Sequence, residues 1–182
     1  MMRDRGHRLR KLVLLIAIAT LAFQPASPQV RDERAVRVAY LYNLIKFVDW
    51  PSASDDLLIG HIGSSAAGET LRKSLDGRKS DARTVHVVLS PSDELLEKCA
   101  IIYFGEASPE DIRKTLAKVE GHSVLTLGET ESFPQRGGMI GLVKVEDHIE
   151  ILVNLALTQR SGVKISSHVL NLAKIVRSGG ER

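Results

Sequence analysis

The chain has 182 residues, 43% of them hydrophobic and 26% charged, with a formal net charge of +3 at pH 7. Five basic residues and one acidic residue in the first 26 positions contribute +4, which leaves −1 for the rest of the chain. This balance excludes the basic surface that nucleic-acid binding needs, and the length suits one domain that buries its own core. The single cysteine, Cys99, excludes an intramolecular disulfide.

The first 26 residues have the pattern of a secretory signal. A basic start precedes the apolar run Leu12–Phe23, and small residues and prolines follow it. The run is shorter than the roughly 20 residues that cross a bilayer as a helix. We therefore predict a signal peptide at residues 1–26, cleaved near Ala22 or Ala26, a periplasmic location, and one domain at residues 31–178.

A first helix is predicted from Val30 to Asp49, and Trp50-Pro51 ends it because a residue before proline avoids helical torsions. Its apolar residues fall into two stripes. One consists of Val36, Ala39, Tyr40, Leu44 and Phe47, and the other of Val38, Leu41, Ile45 and Val48. A helix that packs on one sheet needs only one stripe. Either both stripes are buried, or the second stripe contacts a second copy of the chain or another protein.

Short apolar strands alternate with helices through the middle of the chain. The predicted strands are Leu57–Gly63, Thr84–Leu89, Ala100–Phe104 and Ser123–Leu127. Three helices are predicted between these strands. The first ends near Leu75, the second runs from Pro91 to Lys98, and the third runs from Ser108-Pro109 to about Val119. Such alternation implies crossover connections between parallel strands. The sequence therefore predicts one α/β domain, with a mostly parallel mixed sheet, flanking helices and a C-terminal β-hairpin.

The hairpin is predicted from two β-branched runs, Met139–Val145 and Ile149–Val153, which the polar turn Glu146-Asp147-His148 separates. A short helix is expected at Asn154–Gln159, and Gly162 can end it in the left-handed conformation.

Ser166 or Ser167 can cap a last helix. Its predicted inward face consists of Val169, Leu172, Ala173 and Val176.

The loop after the first predicted strand is a candidate ligand site. Ser64, Ser65 and Gly68 lie where ligands bind in open α/β sheets, and backbone amides at a helix start attract anions. The loop matches neither G-x-G-x-x-G nor a P-loop. An ordinary capped turn is the alternative interpretation.

No pattern in the sequence points to catalysis, a metal or a cofactor. There is no H-E-x-x-H pair and no G-x-S-x-G elbow. Cys99 precedes an apolar strand, which predicts a buried thiol. Glu129 and Glu131, in the loop before Gly137, are interpreted as solvated.

Two glycines, Gly137 and Gly138, directly precede the hairpin. Such a pair indicates backbone torsions or a close approach that a side chain would prevent. Structural need is one interpretation of the loop. The other is a surface for partner or ligand recognition that includes Phe133 and Arg136.

Several segments from about Val36 to Val176 form a pattern by their order and spacing. They are AVRVAYLYNLIKFVDWP, CAIIYF, VLTLGETESFPQRGGMI, the hairpin end ILVN and SGVKISSHVLNLA. In this order they resemble the YfiR-like family of periplasmic regulatory proteins. The resemblance implies a non-enzymatic regulator that represses an inner-membrane signalling protein, either a diguanylate cyclase or a sensor kinase, and so controls cyclic-di-GMP and biofilm formation.

It also implies an outer-membrane lipoprotein that can sequester the regulator, and the second stripe of the first helix predicts a homodimer. Disulfides stabilise some members of this family, and the single Cys99 departs from that pattern. The alternative function is a periplasmic small-ligand sensor or binding module. A broad exposed apolar surface favours a protein partner, whereas an enclosed pocket with convergent polar groups favours a ligand.

Overall fold

The structure, a computed structural model, describes residues 28–50 and 56–179. Its contacts define an N-terminal unit, Met1–Glu33, of which residues 28–33 are described, and one compact unit from Arg34 onward. The predicted signal peptide at residues 1–26 lies outside the described residues. Within the described ranges, no helix has the length and hydropathy of a membrane span.

The strands are numbered in chain order. They are β1 Val48–Asp49, β2 Asp56–Gly63, β3 Lys79–Ser80, β4 Arg83–Leu89, β5 Ile101–Gly105, β6 Leu125–Gly128, β7 Ile140–Val145, β8 His148–Val153, β9 Lys164–Ile165 and β10 Lys174–Ile175. Eight of them form one sheet in the order β10-β8-β7-β6-β5-β2-β4-β3. The pairs from β4 to β7 are parallel, while β7–β8 and β3–β4 are antiparallel. The predicted mixed, mostly parallel sheet with a C-terminal hairpin is confirmed.

The helices occupy the connections. They are α1 Pro28–Ile45, α2 Ser65–Leu75, α3 Asp93–Leu96, α4 Pro109–Lys118, α5 Leu155–Arg160 and α6 Ser167–Leu172, with one turn of 3₁₀ helix at Pro134–Arg136. Alternate residues of β5 face two separate cores. Ile101 and Tyr103 belong to the larger core, which includes residues of α1 and α2, and Ile102 and Phe104 belong to the smaller core, with α4.

Local capping explains where several helices begin. The Ser64 hydroxyl accepts a hydrogen bond from the Ala67 amide at 3.2 Å, and the Ser108 hydroxyl accepts one from the Asp111 amide at 3.1 Å. Each bond satisfies one of the amides that a helix start leaves without a partner. Gly162 has φ +76°, the left-handed conformation that was predicted for it.

The first helix is shorter than predicted at its C-terminal end. It stops at Ile45, and Val48–Asp49 pairs antiparallel with Lys164–Ile165 as a small second sheet. The Ser166 amide also donates to the Phe47 carbonyl at 2.8 Å. A partner more than a hundred residues away in the sequence thus determines where the helix ends.

The prediction for the last helix is also wrong, because the helix is shorter than predicted. It stops at Leu172, and Lys174–Ile175 pairs in parallel with Leu152–Val153 at the sheet edge. Val169 is buried as expected, but Leu172 is 79% exposed. Helical spacing therefore no longer applies after Leu172, and Ala173 and Val176 do not lie on a helix face.

Candidate functional site

The direction in which successive strands are added to the sheet reverses between β2 and β5. The chain leaves β2 for β4 on one side and later returns to β5 on the other side. In open α/β sheets, the crevice beyond the carboxyl ends of two such strands is the usual ligand site. Here those ends are Gly63 and Gly105, and the Ser64 amide donates to the Gly105 carbonyl at 3.0 Å.

Two glutamates and two arginines meet at this crevice. The Arg34 guanidinium lies 2.6 Å from Oε1 of Glu106, and Arg37 Nε lies 4.0 Å from Oε1 of Glu129. Glu129 also accepts hydrogen bonds from the Tyr103 hydroxyl and from the Glu106 amide, the latter at 3.1 Å. The side chains of Arg37 and Glu129 are 13% and 10% exposed, so the prediction that Glu129 is solvated is wrong.

A repeated sequence feature indicates these two glutamates. Both β5 and β6 end in a glycine that a glutamate follows directly, as Gly105-Glu106 and Gly128-Glu129. Because neighbouring parallel strands end at the same edge of a sheet, the two carboxylates are placed side by side. Two acids side by side are stable there because α1 supplies two arginines.

The contacts of the Ser64 loop are those of a capped turn. The Ser64 hydroxyl caps α2 and also donates to Oε2 of Glu106 at 2.6 Å. The Glu106 carboxylate therefore lies at the helix start where an anionic ligand would bind. Gly68 packs on His61, since a Cβ atom at Gly68 would lie 2.8 Å from Nδ1 of that ring. Ligand binding at Ser64, Ser65 and Gly68 stays a prediction, and it requires the ligand to displace Glu106.

Burial changes the proton affinity of the groups around the crevice. Burial raises the pKa of Tyr103 well above its usual range, and the negative charge of Glu129 raises it further. Burial alone would raise the pKa of Glu106, but hydrogen bonds from Ser64 and Arg34 outweigh burial and lower it. Tyr103 is therefore neutral and Glu106 ionised near neutral pH.

His61 is buried beneath the crevice. It is 2% exposed, and its Nε2 lies against the Gly105 backbone without a well-formed hydrogen bond. Burial lowers the pKa of His61, although the Gly105 backbone and the charge of Glu106 act in the opposite direction. The ring is enclosed by Gly68, Gly105 and Tyr103, so it is a packed core group.

The stripe of α1 that was proposed as an interface is buried. Val38, Leu41, Ile45 and Val48 are 3%, 0%, 3% and 7% exposed and belong to the larger core. The interface interpretation of that stripe is therefore wrong, because no partner can reach it in the folded chain. The other stripe is mixed: Val36 and Phe47 are 38% and 40% exposed, whereas Leu44 is 3% exposed and belongs to the larger core.

The prediction that Phe133 is an interface residue is also wrong. It is 3% exposed and packs on Phe104, with the ring centroids 5.3 Å apart. A Cβ atom at Gly138 would lie 2.1 Å from Cε1 of Phe133, and Gly137 has φ +104°. The glycine pair therefore lets the backbone pass over a buried ring. Arg136 is exposed on the 3₁₀ turn and stays a candidate contact residue.

An exposed apolar surface that the sequence patterns missed lies near the C-terminus. The Phe47 ring stacks on the His168 ring with centroids 6.1 Å apart, and Leu172 lies one helical turn beyond His168. Leu172 and Ile175 are 79% and 48% exposed. We call Phe47, His168, Leu172 and Ile175 the apolar strip.

His168, Leu172 and Ile175 of the apolar strip lie in a segment of one charge sign, whereas Phe47 lies near Asp49, which is opposite Lys164 in the β1–β9 pair. From Ile151 to Gly179 the sequence contains no acidic residue. Its basic residues are Arg160, Lys164, Lys174 and Arg177. An exposed apolar group with a charged rim is typical of a protein-binding surface.

The remaining clefts are open to solvent. One of about 590 Å³ is lined by two pairs, His86 with Asp56 at 3.2 Å and His122 with Glu97 at 3.5 Å. Across the described ranges, no three His, Cys, Asp or Glu side chains are grouped so as to hold a metal ion. Cys99 is 2% exposed, as predicted, and burial raises its pKa to about 11.

Comparison with known proteins gives a family and a fold. The model of the YfiR/HmsC-like family matches residues 34–174, more than half of the chain. A solved structure, an ABC domain in complex with L-Trp from Streptococcus pneumonia, matches with a TM-score of 0.55 and 15% identity. The match covers 74% of this chain and 58% of that one. At this identity the likeness concerns the α/β fold alone.

Proposed function

We propose that this chain, which belongs to the YfiR/HmsC-like family, is a non-enzymatic periplasmic regulator that binds the periplasmic part of an inner-membrane signalling protein. The partner is a diguanylate cyclase, which the bound regulator holds inactive, so that cyclic-di-GMP falls and biofilm formation is restrained. A sensor kinase is the alternative partner. An outer-membrane lipoprotein that sequesters the regulator would relieve repression.

The observation that carries this proposal is the exposure of Leu172. A leucine that is 79% exposed at the end of a short helix contributes little to the folded monomer, and water opposes its exposure. Burying such a side chain at an interface supplies about 1.5 to 3 kcal/mol. Stacked Phe47 and His168, with Ile175 beyond Leu172, extend the surface that a partner would cover.

The charges around the apolar strip support a specific orientation of the partner. Lys164 and Lys174 are exposed, and their own segment contains no acid, although Asp49 lies opposite Lys164 in the β1–β9 pair. Rim charges of this kind direct association and select partners more than they add affinity. We therefore expect the contacting surface of the partner to be apolar at its centre and acidic at its edge.

The glutamate–arginine network favours a binding protein over a ligand sensor. The crevice at which an open α/β sheet usually binds ligands is occupied by Glu106 and Arg34. The other clefts are open rather than enclosed. A periplasmic ligand sensor is the competing function. Among the described residues, it has no candidate site that is as well defined as the apolar strip.

The test is Leu172→Glu, with Asn171→Glu as the matched control, because both residues are exposed on α6. We expect both variants to keep their free energy of unfolding within about 0.5 kcal/mol. Leu172→Glu should weaken co-purification with the cyclase by about 10- to 100-fold, which corresponds to one buried leucine. Cells that carry it should have high cyclic-di-GMP, and cells with wild type or Asn171→Glu should have low levels.

Full repression by the Leu172→Glu variant would reject the apolar strip as the binding surface. If the wild type binds no membrane partner, and small acids or nucleotides raise its melting temperature, the ligand-sensor function is correct instead.

A further inference from the structure

A cleft with two arginines lies beyond the carboxyl ends of β5 and β6, and we call it the arginine cleft. It has a volume of about 480 Å³ and lies between the start of α4 and the loop after β6. Clefts of roughly 300 to 1,000 Å³ hold small organic ligands. In open α/β sheets such ligands bind at the carboxyl ends of the strands. The arginine cleft therefore has the size and the place in the fold that suit one small molecule.

The cleft presents positive charge. Arg113 of α4 and Arg136 of the 3₁₀ turn line it, and both are exposed. Within the part of the chain that the structure describes, neither arginine has an ion-pair partner. Glu110 also lines the cleft, but its carboxylate lies 2.7 Å from the Lys114 ammonium, which neutralises it. An anion that enters the cleft therefore meets two guanidinium groups that are available to pair with it.

The cleft also has an apolar wall, which is formed by Ala107, Pro109, Ile112 and Phe133. An inorganic anion gains nothing from such a wall, because it stays hydrated. An organic carboxylate gains twice. Its oxygens form charge-assisted hydrogen bonds with a guanidinium group, and the wall removes its apolar atoms from water. Aliphatic side chains predominate in the wall, so an aliphatic chain suits it.

The backbone that carries Arg136 is held in place before any ligand binds. The Pro134 carbonyl accepts a hydrogen bond from the side-chain amide of buried Asn154 at 2.8 Å. The Gln135 carbonyl accepts one from the Gly179 amide at 3.1 Å. Two distant segments of the chain thus fix the two residues that directly precede the arginine. A wall that is already ordered lowers the entropy cost of binding.

We propose that the arginine cleft binds a small aliphatic carboxylate, whose charged end pairs with Arg113 and Arg136. Its chain lies against Ile112 and Phe133. The arginines select the charge of the ligand, and the apolar wall makes the affinity rise with the length of the chain. The cleft shares no residue with the apolar strip, so a regulator that binds its partner through the strip can hold this ligand at the same time.

The test is a titration of the purified chain with octanoate, followed by the amide chemical shifts in NMR spectra. We expect saturable binding that weakens as salt rises. Hexanoate is two methylenes shorter, so it should bind roughly tenfold more weakly than octanoate. Acetate, which lacks the chain, and octanamide, which lacks the charge, should each bind more weakly than octanoate by roughly tenfold or more.

The variants Arg113→Gln and Arg136→Gln should each weaken octanoate binding roughly tenfold. The matched control is Lys118→Gln, which removes an exposed charge from the same helix outside the cleft and should leave the affinity unchanged. Leu172→Glu should also leave it unchanged, because the apolar strip is not the site. The amide spectrum of each variant shows whether the variant is folded.

A wild-type chain whose spectrum does not change at millimolar octanoate overturns the proposal. So does octanamide or acetate that binds as tightly as octanoate, because the ligand class is then wrong. Octanoate binding that both arginine variants retain and Leu172→Glu loses also overturns it, since the carboxylate then lies on the apolar strip. Every measurement uses the purified chain without a membrane partner, so a failure here leaves the proposed regulator function untouched.

Discussion

Replacing Leu41 tests whether its stripe of α1 belongs to the core or to an interface. Leu41 is fully buried in the larger core, and removing a buried leucine to alanine typically costs about 2 to 5 kcal/mol. In a domain of this size, each kcal/mol lowers the melting temperature by about 2 to 4 °C. We therefore expect Leu41→Ala to lower it by roughly 4 to 20 °C.

The matched control is Val36→Ala on the same helix, where the side chain is 38% exposed and the expected loss is about 0.5 kcal/mol. Leu41→Glu adds a buried charge to the cavity and should leave the chain unfolded. Urea titration followed by circular dichroism measures all three variants. A folded Leu41→Glu protein that has lost only partner binding or self-association would refute the core assignment and restore the interface interpretation.

Two further predictions concern buried titratable groups. Burial lowers the pKa of His61, so as the pH falls the unfolded chain binds a proton at this residue before the folded chain does. The free energy of unfolding should therefore decrease as the pH falls below about 6.5. His61→Gln should flatten that decline, measured by urea unfolding between pH 7 and pH 5 with exposed His148→Gln as the control; an unchanged slope would contradict the assignment. Cys99, with a pKa of about 11, should resist thiol reagents in the native protein at pH 8 and react after unfolding, and Cys99→Ala should keep repression. Fast labelling of the folded chain would show that the thiol is accessible.

The sequence predicted most of the strands that are apolar runs and the helix starts that a neighbouring side chain caps. The strands that become β2, β4 and β5 are apolar runs, and the starts of α2 and α4 follow from Ser64 and Ser108, which cap them. The membership of the YfiR-like family also followed from sequence segments in order.

The errors arise where a distant segment decides the local structure. The two-residue strands β1 and β10 exist only because Lys164–Ile165 and Leu152–Val153 offer backbone partners. A sequence pattern carries no signal for so short a strand. Leu172 fits a helix face, but the chain leaves the helix there to join the sheet, and the side chain is left in solvent.

The choice between the two stripes of α1 has a physical cause that lies outside the helix. Arg34 and Arg37 lie on the same face of α1 as Val38, Leu41 and Ile45, since these positions are separated by helical spacings. Glu106 and Glu129 at the ends of β5 and β6 hold the arginines at the sheet edge. These ion pairs are consistent with a rotation of the helix that turns Val38, Leu41 and Ile45 toward the sheet. Apolarity alone cannot distinguish two equally apolar stripes, and Leu44 of the other stripe is buried in the same core. The same contacts occupy the crevice beyond the carboxyl ends of β2 and β5, where an open α/β sheet usually binds ligands.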